Sequence, residues 1–499
     1  MPAVSLEPKT LPPSRHETPT PVHLVAVGGS DAGISAALRT RELDPSVDVT
    51  VVVADAYPNF SICGIPYYVS GEVDDWHKLA HRTLTDLENT GMRPRLNTRA
   101  QRIDPDVHEI LLATQDGNEE TLGYDALIIG TGAVPVAPPI AGLAELEPRD
   151  GVHLLHSMSD TFALMETLAR DDVERAVIVG GGYIGLEMAE ALTARDLSVT
   201  QVEQLPEVLP TVDPDLGALV HGELERRGVT VVCGTRVKAI EVAPPRSDGR
   251  LDVLATGPGG DPLRLPADVV LIVVGVRSDS DLASAAGAQL GVKRAIDVDR
   301  RMRTNLPDVF AAGDCAVTYH RLLGQSYLPL GTTAHKQGRV AAENALGGSR
   351  QFAGSLGTQV VKVFDLVAAR TGLRDHEAQA VGFEPLTVVS QADDHKAYYP
   401  GSHPITMRYT GDRRSGRLLG LQLVGHLGSE VAKRVDIAAT AIFEQLTLDA
   451  ISDLDLSYTP PLGSPWDALQ TGAQTWIRTR LAPSSGRPPG GEPRPSAGS

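Results

Sequence analysis

The apolar positions of this chain fall into short runs broken by glycine, and the runs alternate with stretches of helical period. "HLVAVGG" at 23–29 is a near-continuous apolar run, the pattern of a strand buried on both faces. "SDAGISAALRTREL" follows with helical spacing, and "VDVTVVVAD" at 47–55 reads as a second strand. Strand, glycine turn, helix and strand in that order predict a βαβ unit and a parallel sheet. The pattern returns in "RAVIVGGGYIGLEMAEALTARDLSVTQVEQ" at 175–204. Nothing recurs at short period, which excludes a solenoid.

Further runs extend the picture. "YDALIIGTGAVPVAPPIAGL" (124–143) is a strand entering a Gly/Pro-rich crossover, and "ADVVLIVVGVRSDSDLA" (267–283) is a buried strand ending in a turn. "TNLPDVFAAGDCA" (304–316) is a short strand that stops at Gly-Asp. From about 350 the character changes. "GTQVVKVFDLVAART", "HPITMRYTG" and "RLLGLQLVG" are strand-like and precede the alanine-rich helix "EVAKRVDIAATAIFEQL", which predicts a separate α+β domain. The expected class is α/β: two Rossmann-like dinucleotide-binding domains and a C-terminal α+β domain. The expected boundaries are a flexible tail 1–22, a first domain in two parts (23–150 and 273–349), a second domain 151–272, a third 350–478, and a disordered tail 479–499.

Composition narrows the function. The chain has 499 residues, enough for several cores, with a net charge of −18. That charge disfavours nucleic acid and anionic membranes as main partners, and no apolar run reaches spanning length. The N-terminus lacks the apolar region of a secretory signal. Three cysteines make no disulfide framework, and a reducing cytoplasm is the simplest compartment. No HExxH and no clustered Cys/His spacing is present, so no metal is expected.

The glycine turns carry the first chemistry. In Gly28-Gly29-Ser30-Asp31-Ala32-Gly33, Gly28 allows the tight turn and Gly33 lets helix pack on strand, but Ser30 stands where the fingerprint has its second glycine. Gly180-Gly181-Gly182-Tyr183-Ile184-Gly185 is complete. Glu203 closes the next strand, where a carboxylate can hold a ribose 2′-hydroxyl and repel a 2′-phosphate. The bland reading of Glu203 is a solvated strand end. Two such units suggest one fixed flavin and one exchangeable nicotinamide: FAD with NADH, and NADPH as the alternative.

The cysteines differ in setting. Cys233 lies in "GVTVVCG" and reads as a small buried hydrophobe, and Cys315 after Asp314 reads as structural. Cys63, in "NFSICGIPYYVSGEV" (59–73), precedes a proline suited to a first helical turn. A cysteine at a helix N-terminus has its thiol pKa lowered and its thiolate favoured. Residue pattern alone leaves Cys63 open between space-filling and reactive.

Taken together, the two glycine turns, "YDALIIGTGAVP", "VVGVRS" and "TNLPDVFAAGDC" resemble the FAD-dependent pyridine nucleotide–disulfide oxidoreductases over roughly residues 23–478. "CGIPYY" with its single cysteine is similar to the branch of coenzyme A disulfide reductases, NADH:persulfide reductases, NADH oxidases and NADH peroxidases. "HKAYYPGSHP" (395–404) and "DLSYTPPLGSPWD" (455–467) resemble the dimerisation domain of the coenzyme A disulfide reductases. The resemblance implies a homodimer with Cys63 as redox nucleophile. It implies Tyr458, with Tyr398 or Tyr399, reaching the other subunit's active site, and His335 on the substrate side. Thr131, Gly132 and Asp314, with Gly28, Ser30 and Gly33, would line FAD, with Asp55 and Gly275 as further cofactor-binding residues. Gly180, Gly182, Gly185, Ile184, Glu187 and Glu203 would serve the nicotinamide nucleotide.

Departures from the family pattern bear on the acceptor. Asp31 stands where NADH peroxidases and oxidases carry a histidine, which argues against peroxide chemistry. Asn59 and Ile62 replace a Ser-x-x-Asn substrate pattern, and Glu42 and Trp466 replace basic residues of a coenzyme A phosphate clamp. Val53 replaces the glutamate that ends the second strand, with Asp55 as its substitute. Pro58 stands five residues before Cys63, so no paired cysteine exists there. The expected activity is NAD(P)H-dependent reduction of a small disulfide, persulfide or other thiol-derived acceptor. Alternatives are an NADH oxidase working through a Cys63 sulfenic acid, and an electron-transfer or redox-signalling flavoprotein.

Overall fold

The computed structural model describes residues 23–244 and 247–482, so the two tail expectations lie wholly or largely outside it. The described chain divides into two compact units. One holds the residues up to Gln204 together with Val229–Ser355, and the other holds Leu205–Gly228 with the chain from Leu356 onward.

The first unit contains two five-stranded parallel sheets. One has the order Val309–Ala311, Ala126–Ile129, His23–Val27, Asp48–Val52, Arg93–Arg95. The other has the order Thr230–Val232, Ser198–Val202, Arg175–Val179, Val269–Ile272, Val152–Leu154. In each, the chain leaves the central strand one way and returns on its other side, which opens a crevice at that strand's carboxyl end. The apolar run at 23–27 has a physical reason. Leu24 and Ala26 pack in one core with Ile34, Ala36 and Val340, while Val25 and Val27 pack in another with Ile103, Ile110 and Leu112. Both faces of the strand are therefore buried, and each such side chain contributes about 1.5–3 kcal/mol. The glycine-turn helices are Asp31–Leu43 and Tyr183–Thr193. Helix Asp31–Leu43 packs so closely on helix Gly331–Ala345 that a Cβ on Gly338 would overlap the Ala32 carbonyl. The unit also holds two antiparallel three-stranded sheets, one within 98–123 and one within 236–267, and two two-stranded ones.

The second unit is built on an antiparallel sheet in the order Gln359–Val363, Leu366–Gly372, Leu418–His426, Pro404–Asp412, Pro385–Asp393. "GTQVVKVFDLVAART" is thus two strands, turned at Phe364 with φ +53°. Helix Val431–Phe443 packs on this sheet, as does a last helix, Ala468–Leu481. Trp476 is fully buried, and its indole N–H donates to the Leu386 carbonyl at 2.7 Å.

Candidate functional site

The two glycine turns are built alike. The Gly28 N–H donates to the Val52 carbonyl at 2.9 Å, and the Gly180 N–H to the Val202 carbonyl at 2.8 Å. Gly28 and Gly180 have φ of +122° and +121°, a region closed to L side chains. Gly33 and Gly185 each lie against the carbonyl of the first glycine of their own turn, as the helix–strand approach requires. The turns differ at the third position. Ser30 is exposed and precedes helix Asp31–Leu43, whereas a Cβ on Gly182 would meet no protein atom within 4 Å. Backbone N–H groups at such a helix start face whatever lies beyond, and a diphosphate suits them.

The residues that end the second strands also differ. Glu203 is 6% exposed, and its Oε2 accepts a hydrogen bond from the Gly181 N–H at 2.6 Å. The solvated strand end is thereby overturned: this carboxylate is held against its own turn. Val53 stands at the matching place and packs its methyls over Gly29. Asp55, two residues further on, closes a local turn in which its Oδ1 accepts from the Tyr57 N–H at 2.8 Å.

Other predicted residues gather at the ends of the first sheet. Thr131 and Gly132 follow strand Ala126–Ile129, and the Thr131 hydroxyl donates to the Asp279 carbonyl at 2.5 Å. Gly132 and Gly275 have positive φ and open space where a Cβ would stand. Asp314 follows strand Val309–Ala311. Burial, with the Asp31 charge added, pushes its carboxyl up to about 6. Its Oδ1 is buried without a partner among the described residues, as are the Asn59 Oδ1 and the Tyr327 hydroxyl. Tyr327 was not foreseen. Its only signal is an aromatic ring between "GQS" and "LPLG" in an aromatic-poor chain. Orphaned buried polar atoms and uncrowded glycine backbone fit a polar, diphosphate-bearing cofactor such as FAD.

Cys63 sits in a single turn, Ile62–Gly64, that runs into the short helix Ile65–Ser70, with Pro66 in its first turn. The stretch is braced from both sides. The Asn59 N–H donates to the Gly29 carbonyl at 2.7 Å, the His81 N–H to Asn59 at 2.9 Å, and the Ser61 N–H to Leu79 at 2.8 Å. The thiol is exposed, yet the expected thiolate-favouring setting is not found. Its pKa is raised, first because the surrounding protein desolvates it and then because Glu187, Asp31 and Asp314 add negative potential. A six-residue helix offers too small a dipole to offset them. Cys315 is buried against the Ile129 and Ala312 carbonyls, whereas Cys233 is only half-buried, less enclosed than its strand pattern suggested.

Glu187 lies one turn beyond Ile184 on helix Tyr183–Thr193, and both are half-buried. The carboxylate raises both Cys63 and Tyr67, so the helix of the second turn reaches the cysteine. His335, on helix Gly331–Ala345, has Nδ1 2.7 Å from Ser35 Oγ and Nε2 3.4 Å from Asp31 Oδ1. Glu42 is salt-bridged to Arg39 and Arg339.

The second unit carries the tyrosines. Tyr398 and Tyr458 are 72% and 43% exposed, and a hydrogen bond between their hydroxyls pushes the Tyr458 pKa up. Tyr399 is exposed with its ring edge-on to His395 at 5.8 Å. Trp466 is exposed on the same unit.

Residues 22–338 match the pyridine nucleotide-disulphide oxidoreductase family, and residues 358–468 match its dimerisation domain. The chain belongs to this family. A pyridine nucleotide-disulphide oxidoreductase uses FAD and NAD(P)H, and the α/β architecture expected from the hydrophobic pattern is that of the family. The chain is 33% identical over 449 residues to an NAD(P)H sulfur oxidoreductase (CoA-dependent) of Pyrococcus abyssi, covering 89% of this chain and 96% of the relative. It is 30% identical over 461 residues to an NADH oxidase of Methanocaldococcus jannaschii, covering 91% and 98%. Among solved structures, an NAD-dependent persulfide reductase from A. fulgidus aligns with a TM-score of 0.85 at 36% identity, over 92% of this chain and 83% of that one. Among the described residues no helix of this oxidoreductase is long and apolar enough to cross a membrane.

Proposed function

We propose that this chain is an NADH-dependent, FAD-containing reductase of a small disulfide or persulfide, working as a homodimer with Cys63 as its redox nucleophile. The observation that carries the reading is the position of Cys63. Its thiol is exposed, and it feels the charges of Glu187, from the helix of the second glycine turn, and Asp314, at the end of the first sheet. A thiol between two dinucleotide turns can accept electrons from one side and meet an acceptor on the other.

In this reading Gly28, Ser30, Gly33, Thr131, Gly132, Gly275 and Asp314 hold FAD. Gly180, Gly182, Ile184, Gly185 and Glu187 position the nicotinamide nucleotide, with Glu203 near its ribose. FAD supplies two-electron transfer between the nucleotide and sulfur. Val53 gives the FAD ribose no carboxylate, so in this reading Asp55, two residues on, takes that part. The Cys63 thiolate attacks an acceptor sulfur, the S–S bond breaks, and one thiol leaves. The balance is RSSR′ + NADH + H⁺ → RSH + R′SH + NAD⁺. Tyr398, Tyr399 and Tyr458 lie exposed in the dimerisation unit, where they can serve a second copy's cysteine. The pairing of Glu42 with arginines, and Trp466 in place of a base, weaken a phosphate clamp and favour acceptors smaller than coenzyme A disulfide. The names of the sulfur and persulfide reductases among the relatives support this class.

The test is turnover of NADH with a small alkyl disulfide, a persulfide, coenzyme A disulfide and oxygen, each with wild type and Cys63→Ser. Sulfur acceptors should turn over at least tenfold faster than oxygen and depend on Cys63. Faster turnover with oxygen alone would instead favour the oxidase.

A further inference from the structure

The second unit buries a charged network beside its sheet. Arg434, on helix Val431–Phe443, is 5% exposed, and Asp394 is equally buried. Taking such groups out of water costs free energy that apolar side chains of similar size would not, so stability alone is a poor account of them. The bonds of Arg434 show what it holds. Its Nε and Nη2 donate to the Asp467 carboxylate at 3.2 and 2.8 Å. Its Nη2 also donates to the Asp394 carbonyl at 2.9 Å, and its Nη1 to the Ser429 carbonyl. Three segments distant in sequence thus converge on one guanidinium.

Two of those segments carry the exposed tyrosines. Segment 394–403, with Tyr398 and Tyr399, is closed at its base by Asp394. The Asp394 N–H donates to the His403 carbonyl at 3.0 Å, and its Oδ1 accepts from the His403 N–H at 3.1 Å. Its other oxygen accepts from the Ser429 hydroxyl at 2.7 Å. Segment 455–467, with Tyr458, ends at Asp467, whose Oδ1 also accepts the Leu469 N–H at 2.9 Å and caps helix Ala468–Leu481. Neither segment forms a helix or strand. They meet where the Lys396 N–H donates to the Pro460 carbonyl at 3.3 Å, and at the bonded hydroxyls of Tyr398 and Tyr458. Without a ladder of their own, the two segments depend on side-chain bonds for their spacing.

We propose that Arg434 is a positioning residue: by holding Asp394 and Asp467 it sets the spacing of the two tyrosine segments, so that Tyr398 and Tyr458 are presented together to the acceptor at a second copy's Cys63. This rests on the homodimeric, disulfide-reducing reading above. A lysine at 434 keeps the charge but lacks the planar fork, and cannot meet Asp467 at two atoms together with the Asp394 and Ser429 carbonyls. The sheet and helices of the unit keep their apolar core in that variant, while the tyrosine pair loosens.

The experiment uses the full-length flavoprotein with NADH and cystamine as acceptor. In Arg434→Lys, flavin reduction by NADH should keep its wild-type rate. Turnover with cystamine should fall at least tenfold, toward the about 10²-fold that a misplacement of about 1 Å can cost. Hybrid dimers are then isolated from differently tagged copies. A Cys63→Ser copy paired with an Arg434→Lys copy contains one site that joins an intact cysteine to intact tyrosine segments, and should recover about half of the wild-type turnover per dimer. A wild-type copy paired with a copy carrying both substitutions has no such site and should stay at the Arg434→Lys level. Equal turnover of the two hybrids, a parallel fall in flavin reduction, or undiminished turnover in Arg434→Lys overturns the proposal. If Arg434→Lys does not assemble, Arg434→Met combined with Asp467→Asn takes its place, because removing both charges leaves neither buried alone and asparagine keeps the helix cap. Failure of that variant to assemble would make the network a requirement of the fold and equally overturns the proposal. If wild type is monomeric or does not reduce cystamine, or if the Cys63→Ser homodimer does, the disulfide-reducing reading itself has failed.

Discussion

Glu203 holds the second glycine turn by accepting the Gly181 N–H at 2.6 Å, whereas Val53, at the same place in the first turn, only packs against Gly29. The two turns share a backbone scheme and differ in the chemistry of one residue. Truncating Glu203 removes a charge-assisted hydrogen bond of about 1.5–3 kcal/mol. Glu203→Ala should therefore raise the KM for NADH by about tenfold or more and lower the melting temperature, with flavin content retained. Steady-state kinetics and the flavin-to-protein absorbance ratio check this.

Glu187 raises the pKa of the Cys63 thiol through its negative charge. Replacing it with glutamine should lower that pKa and increase the thiolate fraction at neutral pH. The pH dependence of Cys63 alkylation by iodoacetamide measures the shift. An upward shift in Glu187→Gln would contradict the placement.

Asp314 has a carboxyl pushed up from 3.8 to about 6, chiefly by burial. A carboxyl with a raised folded-state pKa favours the folded chain below the unfolded value, and this contribution is lost as pH rises from about 4 through about 6. At neutral pH the ionised side chain costs on the order of 3 kcal/mol in flavin-free protein. Flavin-free Asp314→Asn should melt higher than wild type above pH 6, and the difference should vanish near pH 4. The same variant should bind FAD more weakly, as equilibrium dialysis would record.

Trp476 anchors the last helix of the second unit. Its indole is fully buried and donates to Leu386, and Gly411 lies against its ring. Trp476→Ala opens a large cavity and should cost about 3–5 kcal/mol. Thermal unfolding should show the loss.

The legible parts of this molecule were those written in local pattern. Both glycine turns could be read because positive φ at Gly28 and Gly180 allows few other residues, and the strand 23–27 because both its faces are buried. Glu203 was found by its distance from the turn, but its bond to Gly181 was not, since a strand end looks the same whether solvated or folded inward. The setting of Cys63 was misjudged for a related reason. A proline three residues on signals a helix start, but desolvation and the charges of Asp31, Glu187 and Asp314 come from remote segments. The contact of His335 with Ser35 spans 300 residues and depends on Gly338 letting two helices approach. No local periodicity encodes such a meeting. The helix Ala468–Leu481 is not legible because its apolar positions are sparse and its buried face includes Gln470 and Gly472 beside Leu469 and Trp476.

The most direct test of the central claim is anaerobic titration of the flavoprotein with NADH, followed in the visible spectrum. A Cys63 thiolate beside oxidised flavin should give a long-wavelength charge-transfer band once NADH has reduced the cysteine. Cys63→Ser should lack the band while still accepting electrons from NADH. A band of equal intensity in Cys63→Ser, or none in wild type, would contradict the assignment of Cys63 as the flavin-coupled nucleophile.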